Sequence, residues 1–339
     1  MPTESAPKPV VSELKKLGLV YIVKGVLSGQ GPRQPGMTGT RLRLQAVQWG
    51  VAIAAIALPL LTPTLLAPVG YAQETAAANG AAAEAALNQG LALIQQGQID
   101  SALAQFQQAA SLDPGLAAAH YNIGLALRQK GQLQDAASAF WAAIRADPQF
   151  ALAYANLGGA LIEGNNLDQA EAYLKRAIAI EPTLGNAHYN LGLVYQSQGR
   201  FPEALAALDR AGQYSPNAPE SFLQRGIIYL QTEQNAEAEA VLHQALTLNP
   251  RYAQAHYNLG IARFNQGQTE TALESFRMAT QINGSYADAY YSAGLAFVQL
   301  GRYAEARTVL EYAKNLYIAT GNPTWAAKAQ GHLGQLPES

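Results

Sequence analysis

The chain has no cysteine in its 339 residues. That excludes disulfides, thiolate metal ligands and a cysteine nucleophile. It leaves the compartment open, because a cysteine-free chain suits either redox environment. Charged residues are sparse at 14%, and the formal net charge is only -2. The charges are unevenly placed. Residues 1–72 carry seven Lys/Arg against two Asp/Glu, and residues 73–339 carry 15 against 22. An acidic body lacks the cations that neutralise phosphates, which argues against a nucleic-acid partner. Catalytic signatures are missing too. There is no Gly-rich phosphate loop, no His-Glu-x-x-His and no G-x-S-x-G. The chain therefore reads as a non-enzyme with no cofactor.

The basic head divides in two. Residues 1–36 show no period and are punctuated by Pro and Gly, so they read as a disordered leader. From Met37 the order changes. Arg41 and Arg43 precede an apolar run, Trp49 to Leu61, and the small residues Gly70 and Ala72 come after it. Basic, apolar, then small is the order of a secretory signal, with the cut expected before Gln73 and Met37 as the true start. The alternative is an anchor over residues 47–69, since a spanning helix needs about 20 apolar residues. Pro59, Pro63 and Pro68 interrupt that run. The expected location is periplasmic or secreted, with membrane attachment as the alternative. Residues 73–82, small and nearly uncharged, read as a linker.

The rest of the chain is dominated by a repeat. Ala117 to Phe150 holds a helix, a Gly-Gln turn, a second helix and an Asp-Pro stop. The pattern recurs every 34 residues, a period that marks a solenoid. Seven units fill 83–320 without a gap: 83–116, 117–150, 151–184, 185–218, 219–252, 253–286 and 287–320. Position eight is Gly in all seven (Gly90 through Gly294), and positions twenty and twenty-seven are always Ala. Small residues there let two helices pack closely. Gly97, Gly131, Gly199, Gly267 and Gly301 fall between the helices, where a left-handed cap favours Gly. Asn165 stands in for Gly once. Pro ends each of the first five units and resets the chain. Asn322-Pro323 is a helix start, and Trp325, Ala329 and Leu333 form one apolar stripe. A capping helix over 323–335 is expected.

These positions resemble the tetratricopeptide repeat family. The resemblance implies an all-α fold: antiparallel helix pairs stacked as a right-handed superhelical solenoid, the first helix of each pair lining a concave groove. It also implies a partner class, peptide segments of other proteins. Position six often carries Asn in this family, and in O-linked GlcNAc transferases such a ladder grips a peptide backbone. Here Asn88, Asn122, Asn156, Asn190 and Asn258 hold that position, with Gln224 and Ser292 in units five and seven. An amide offers donors and an acceptor, so it pairs with an extended backbone whatever its sequence. Tyr121, Tyr189, Tyr257 and Tyr291 at position five are groove candidates beside the ladder. Aliphatic residues at position nine either line the groove or pack the core.

Three further features bear on function. The carboxylate clamp of chaperone-tail-binding members needs Lys at position two, and no Lys stands there, so that mode is disfavoured. His120, His188 and His256 recur every 68 residues. With helices about 8–10 Å apart they lie roughly 20 Å from one another, whereas zinc ligands lie within about 2 Å of one ion. They read as packing residues. Arg225 replaces the usual Leu or Ile in unit five, and is either drift in a folded repeat, a contact for an anionic group, or the mark of a bend in the superhelix. The expected function is an extracytoplasmic scaffold or adaptor, serving assembly of envelope or secreted complexes. The alternatives are an accessory subunit of glycosyltransferase machinery and a membrane-anchored assembly factor.

Overall fold

A computed structural model describes residues 69–337, with side chains from residue 78. All regular structure in this span is helical. α1 (Val69–Gln95) and α2 (Ile99–Leu112) open the array, followed by α3 (Ala117–Gln129) and α4 (Leu133–Ala146). Next come α5 (Ala151–Glu163), α6 (Leu167–Ile180), α7 (Gly185–Ser197) and α8 (Phe201–Tyr214). α9 (Pro219–Gln231), α10 (Asn235–Leu248), α11 (Ala253–Asn265) and α12 (Thr269–Ile282) continue the same rhythm. α13 (Ala287–Gln299), α14 (Tyr303–Ala319) and α15 (Pro323–Gln335) close it. From α3 to α12 a 13-residue helix alternates with one of 14.

Each pair is built around one contact. A Cβ placed on Gly124 would lie 2.5 Å from a ring carbon of Phe140. Glycine at position eight is thus the hole into which the large side chain of the second helix inserts. Leu174 fills the same hole against Gly158, and Leu310 against Gly294. Both alanine positions are buried in every unit; Ala136 and Ala143, for example, are 0% exposed. The helix-to-helix turn runs through a left-handed residue, such as Gly131 at φ +74°. Asn165 and Glu233 take the same conformation at φ +59° and +61°.

Between units the chain is held by a device that the repeat pattern did not announce. The side chain of Asp113 accepts from the Gly115 N–H, and Asp147 accepts from the Gln149 N–H, both at 2.9 Å. Asn283 does the same for Ser285 at 3.1 Å. These side-chain turns mimic a backbone turn. In the sixth unit the turn survives although Gly284 stands where proline would.

The expected linker at 73–82 is corrected: these residues lie inside α1. Their composition is rich in alanine, the strongest helix former, and that propensity prevails over the absence of periodicity. The leader at 1–36 and the signal-like residues 37–68 lie outside the described residues. No helix among the described residues is long and apolar enough to cross a membrane. At the other end α15 forms as expected. The Asn322 side chain accepts from the Trp325 N–H at 3.4 Å, and Trp325, Ala329 and Leu333 are buried. Trp325 stacks on Tyr317 with centroids 5.9 Å apart and meets the edge of Tyr291 at 5.6 Å.

Candidate functional site

The first helices of consecutive units touch one another: α5 packs on α7, α7 on α9, α9 on α11 and α11 on α13. Closer approach on this side makes it the inner side of the curve. Positions five and six sit at these junctions. The Asn156 Nδ2 donates to the Tyr121 hydroxyl of the preceding unit at 3.1 Å. Asn190 Nδ2 donates to the Ala155 carbonyl at 3.5 Å. Tyr189 is hydrogen-bonded with Gln224, and Tyr257 with Ser292. Tyr121, Tyr189 and Tyr257 are thus tied to position six of the next unit.

The asparagines differ in what they leave free. Asn88 is exposed. Asn122 is half-buried and uses one N–H on the Ala118 carbonyl of its own helix. Asn190 likewise engages one N–H. Asn156 is more committed. It donates to Tyr121 and to the Leu152 carbonyl, and it accepts weakly from Arg128 at 3.4 Å. Asn258 is 5% exposed and bonded to the Gln254 carbonyl. It is not a groove rung.

Two tyrosines are also corrected. Tyr257 and Tyr291 are 3% and 1% exposed. Tyr257 lies under Tyr286, with centroids 5.0 Å apart. Tyr291 lies beneath the capping helix and its hydroxyl is buried without a partner. Burial raises the pKa of both. Core packing, the competing role for position five, prevails here: Tyr257 packs on Phe276 and Tyr286, and Tyr291 packs on Tyr317 and on Trp325 of the cap. Ile261 and Leu295 at position nine are buried as well, so the inner face closes in units six and seven. Tyr317 donates to Asp288 at 2.6 Å there, and burial raises the Asp288 pKa despite that bond. Tyr121 and Tyr189 remain half-buried.

Arg225 has an internal partner. It pairs with Asp209 at 3.2 Å and is 19% exposed. The expectation of a contact for an external anion is replaced by this pair. The histidines are structural: His120, His188 and His256 each hold the carbonyl of Pro114, Pro182 or Pro250 through Nε2, at 2.9–3.0 Å. Each clips its unit to the proline of the one before.

The inner face also contains residues that sequence reasoning passed over. Gly159 takes position nine in the third unit, where the other six have Leu or Ile. A Cβ there would meet Asn190 Nδ2 at 3.3 Å and the Arg128 guanidinium at 3.8 Å. Arg128 crosses this notch to Glu163 at 2.8 Å. The break in the aliphatic series was visible in the sequence; the partner of Arg128 was not. The arrangement as a whole offers open amides, half-buried aliphatics (Leu125, Leu193, Ile227) and few charges.

Among curated proteins none matches the chain in sequence. A solved tetratricopeptide repeat protein from Parabacteroides merdae superposes with a TM-score of 0.58 at 16% identity, covering 74% of this chain and all of its own. PilW, described as a widely conserved type IV pilus biogenesis factor, gives 0.56 at 20% identity over 61% of this chain and 96% of its own. YrrB, described as a TPR protein with an unusual peptide-binding site, gives 0.47 at 26% identity over 57% of this chain and 99% of its own. Residues 287–317 match the tetratricopeptide repeat itself. Residues 42–295 match the family model of the TPR-bearing C-terminal domain of cilia and flagella-associated protein 70, and the chain belongs to the tetratricopeptide repeat family.

Proposed function

We propose that this chain is a non-enzymatic, extracytoplasmic scaffold that binds an extended peptide segment of a partner protein along the inner face of units one to five. One observation carries the reading. Asn122 and Asn190 present amides that are only half satisfied within the chain, beside half-buried Leu125, Leu193 and Ile227. A peptide backbone supplies the missing donors and acceptors, and its side chains cover the aliphatics. The signal-like order of residues 37–72 supports a location outside the cytoplasm, and an adaptor so placed suits assembly of envelope or secreted complexes.

The test is selection of a random dodecapeptide library on the full chain, followed by titration of the selected peptides against N122A/N190A. Two lost hydrogen-bonding rungs at about 1 kcal/mol each weaken binding roughly thirtyfold with an unchanged circular dichroism spectrum. Equal affinity of variant and wild type overturns the role of these amides. N-terminal sequencing of the native protein tests the location. A start at Gln73 supports it, and a mature chain that keeps residues 1–36 overturns it.

A further inference from the structure

Grooves between consecutive second helices run along the outer side of the array, and the repeat register lets one be compared with the next. Between units two and three the groove is filled by rings. Trp141 of α4 meets Tyr173 of α6 with centroids 6.1 Å apart, and Tyr173 meets Tyr154 of α5 at 6.2 Å. One unit later the same three positions hold Lys175, Ala207 and His188. Lys175 pairs with Glu171 of its own helix at 2.7 Å, the Ala207 methyl is far smaller than a phenol ring, and His188 is held by the Pro182 carbonyl. The two junctions that follow are bridged by polar side chains: Asp209 pairs with Arg225, and His243 meets Arg263, both at 3.2 Å.

The loss of the rings leaves an open pocket of about 290 Å³ between α6, α7 and α8. Ile178, Leu191, Tyr195, Ala207 and His188 line it, and all but Ile178 are buried. Its size is at the small end of the roughly 300–1,000 Å³ of ligand pockets, which suits one ring rather than a large molecule. Lys175, Glu203 and Arg210 complete the lining. Glu203 is engaged by Arg200 at 3.1 Å, as Lys175 is by Glu171. Arg210 is exposed and forms no ion pair among the described residues, so it is the one lining charge left unbalanced.

We infer that this pocket is a second binding site, on the outer face, for an aromatic side chain of a partner protein segment that carries Asp or Glu beside it. The ring enters the space that Trp141 and Tyr173 fill one unit earlier, and the carboxylate meets Arg210. Aromatic side chains bury a large apolar area at little entropic cost and serve as anchors in small pockets, and a guanidinium pairs with a carboxylate in a directed way. The site shares no residue with the inner-face amides, so one chain holds two segments at once.

Selection of a random dodecapeptide library on N122A/N190A, in which those amides are absent, tests this. The selected peptides carry Trp, Tyr or Phe next to Asp or Glu. Replacing the aromatic residue by alanine weakens binding at least about tenfold. Lys175→Trp and Ala207→Tyr each restore a ring of the preceding junction, and each weakens binding by a similar factor with the helical spectrum intact. The Lys175 side chain is 56% exposed, so Lys175→Trp remains a test even if Ala207→Tyr does not fold. Arg210→Gln weakens the acidic peptide about tenfold but not its amide counterpart. Peptides without an aromatic residue, peptides bound equally by the parent and Lys175→Trp, or no selected peptide at all overturn the site. A wild-type dimer that both Trp141→Ala and Lys175→Trp dissociate in sedimentation identifies a second copy as the occupant and overturns the partner segment. None of these outcomes bears on the inner face, which is tested with its own peptides.

Discussion

Glu233 shows how one residue can be read from register and then weighed by backbone geometry. Five of the seven units place glycine at this turn, where a left-handed conformation is required. Glu233 adopts φ +61° with an exposed side chain. A residue with a Cβ is disfavoured there by about 1–2 kcal/mol. Glu233→Gly is therefore expected to stabilise the protein by about 1 kcal/mol, and denaturant unfolding measures it; a loss of stability would contradict the strain. The asparagines teach the opposite lesson. Asn122, Asn190 and Asn258 are the same residue at the same register. Only the surroundings make the first two available and bury the third.

At the level of the helix, α15 is the element whose role is clearest. It has no unit to follow it among the described residues. Its apolar stripe covers Tyr291 and Tyr317, which would otherwise face water at the open end of the stack. Trp325→Ala removes the side chain that touches both rings, and is expected to cost about 3 kcal/mol, read by thermal unfolding with loss of helix in the last unit. Trp141 on α4 is a built-in comparison at 45% exposure. Trp141→Ala is expected to change stability by less than about 0.5 kcal/mol. The helices were legible because glycine, alanine and proline recur at fixed intervals. The Asx turns joining the units were harder to see, because Asp, Asn, Glu and Ser alternate at that position and only some of them form the turn.

Across the described residues the core is divided into clusters of uneven size. A buried cluster runs from Ala136 to Ile228 and holds the centre of the array together. The first two units share a much smaller one, and α1 exposes Leu91 and Ile94. Stability in a solenoid is approximately a sum over units and their interfaces. Amide hydrogen exchange is expected to be slowest in α5 to α8 and fastest in α1 and α2. Uniform protection along the array would contradict this. The two ends also differ in burial on the inner face. The last two units and the cap bury Tyr257, Tyr291, Ile261 and Leu295, whereas Leu125, Leu193 and Ile227 of earlier units stay half-buried.

The sequence by itself determined the fold. Its period, its invariant Gly and Ala, and the apolar stripe of the cap are local facts, and each unit needs only its neighbours to satisfy them. It also singled out the asparagine register and set the histidines aside as packing residues. The tertiary structure alone decided which of those equivalent positions are reachable. Tyr257 is covered by Tyr286 from the end of its own unit and Tyr291 by Trp325 of the cap, and Asn258 is buried beside them. Ala218 stands where Phe150 and Tyr286 stand elsewhere, yet Tyr189 stays half-buried like Tyr121. Exposure depends on side chains about 30 residues away that only stacking brings together, so no single helix could reveal it.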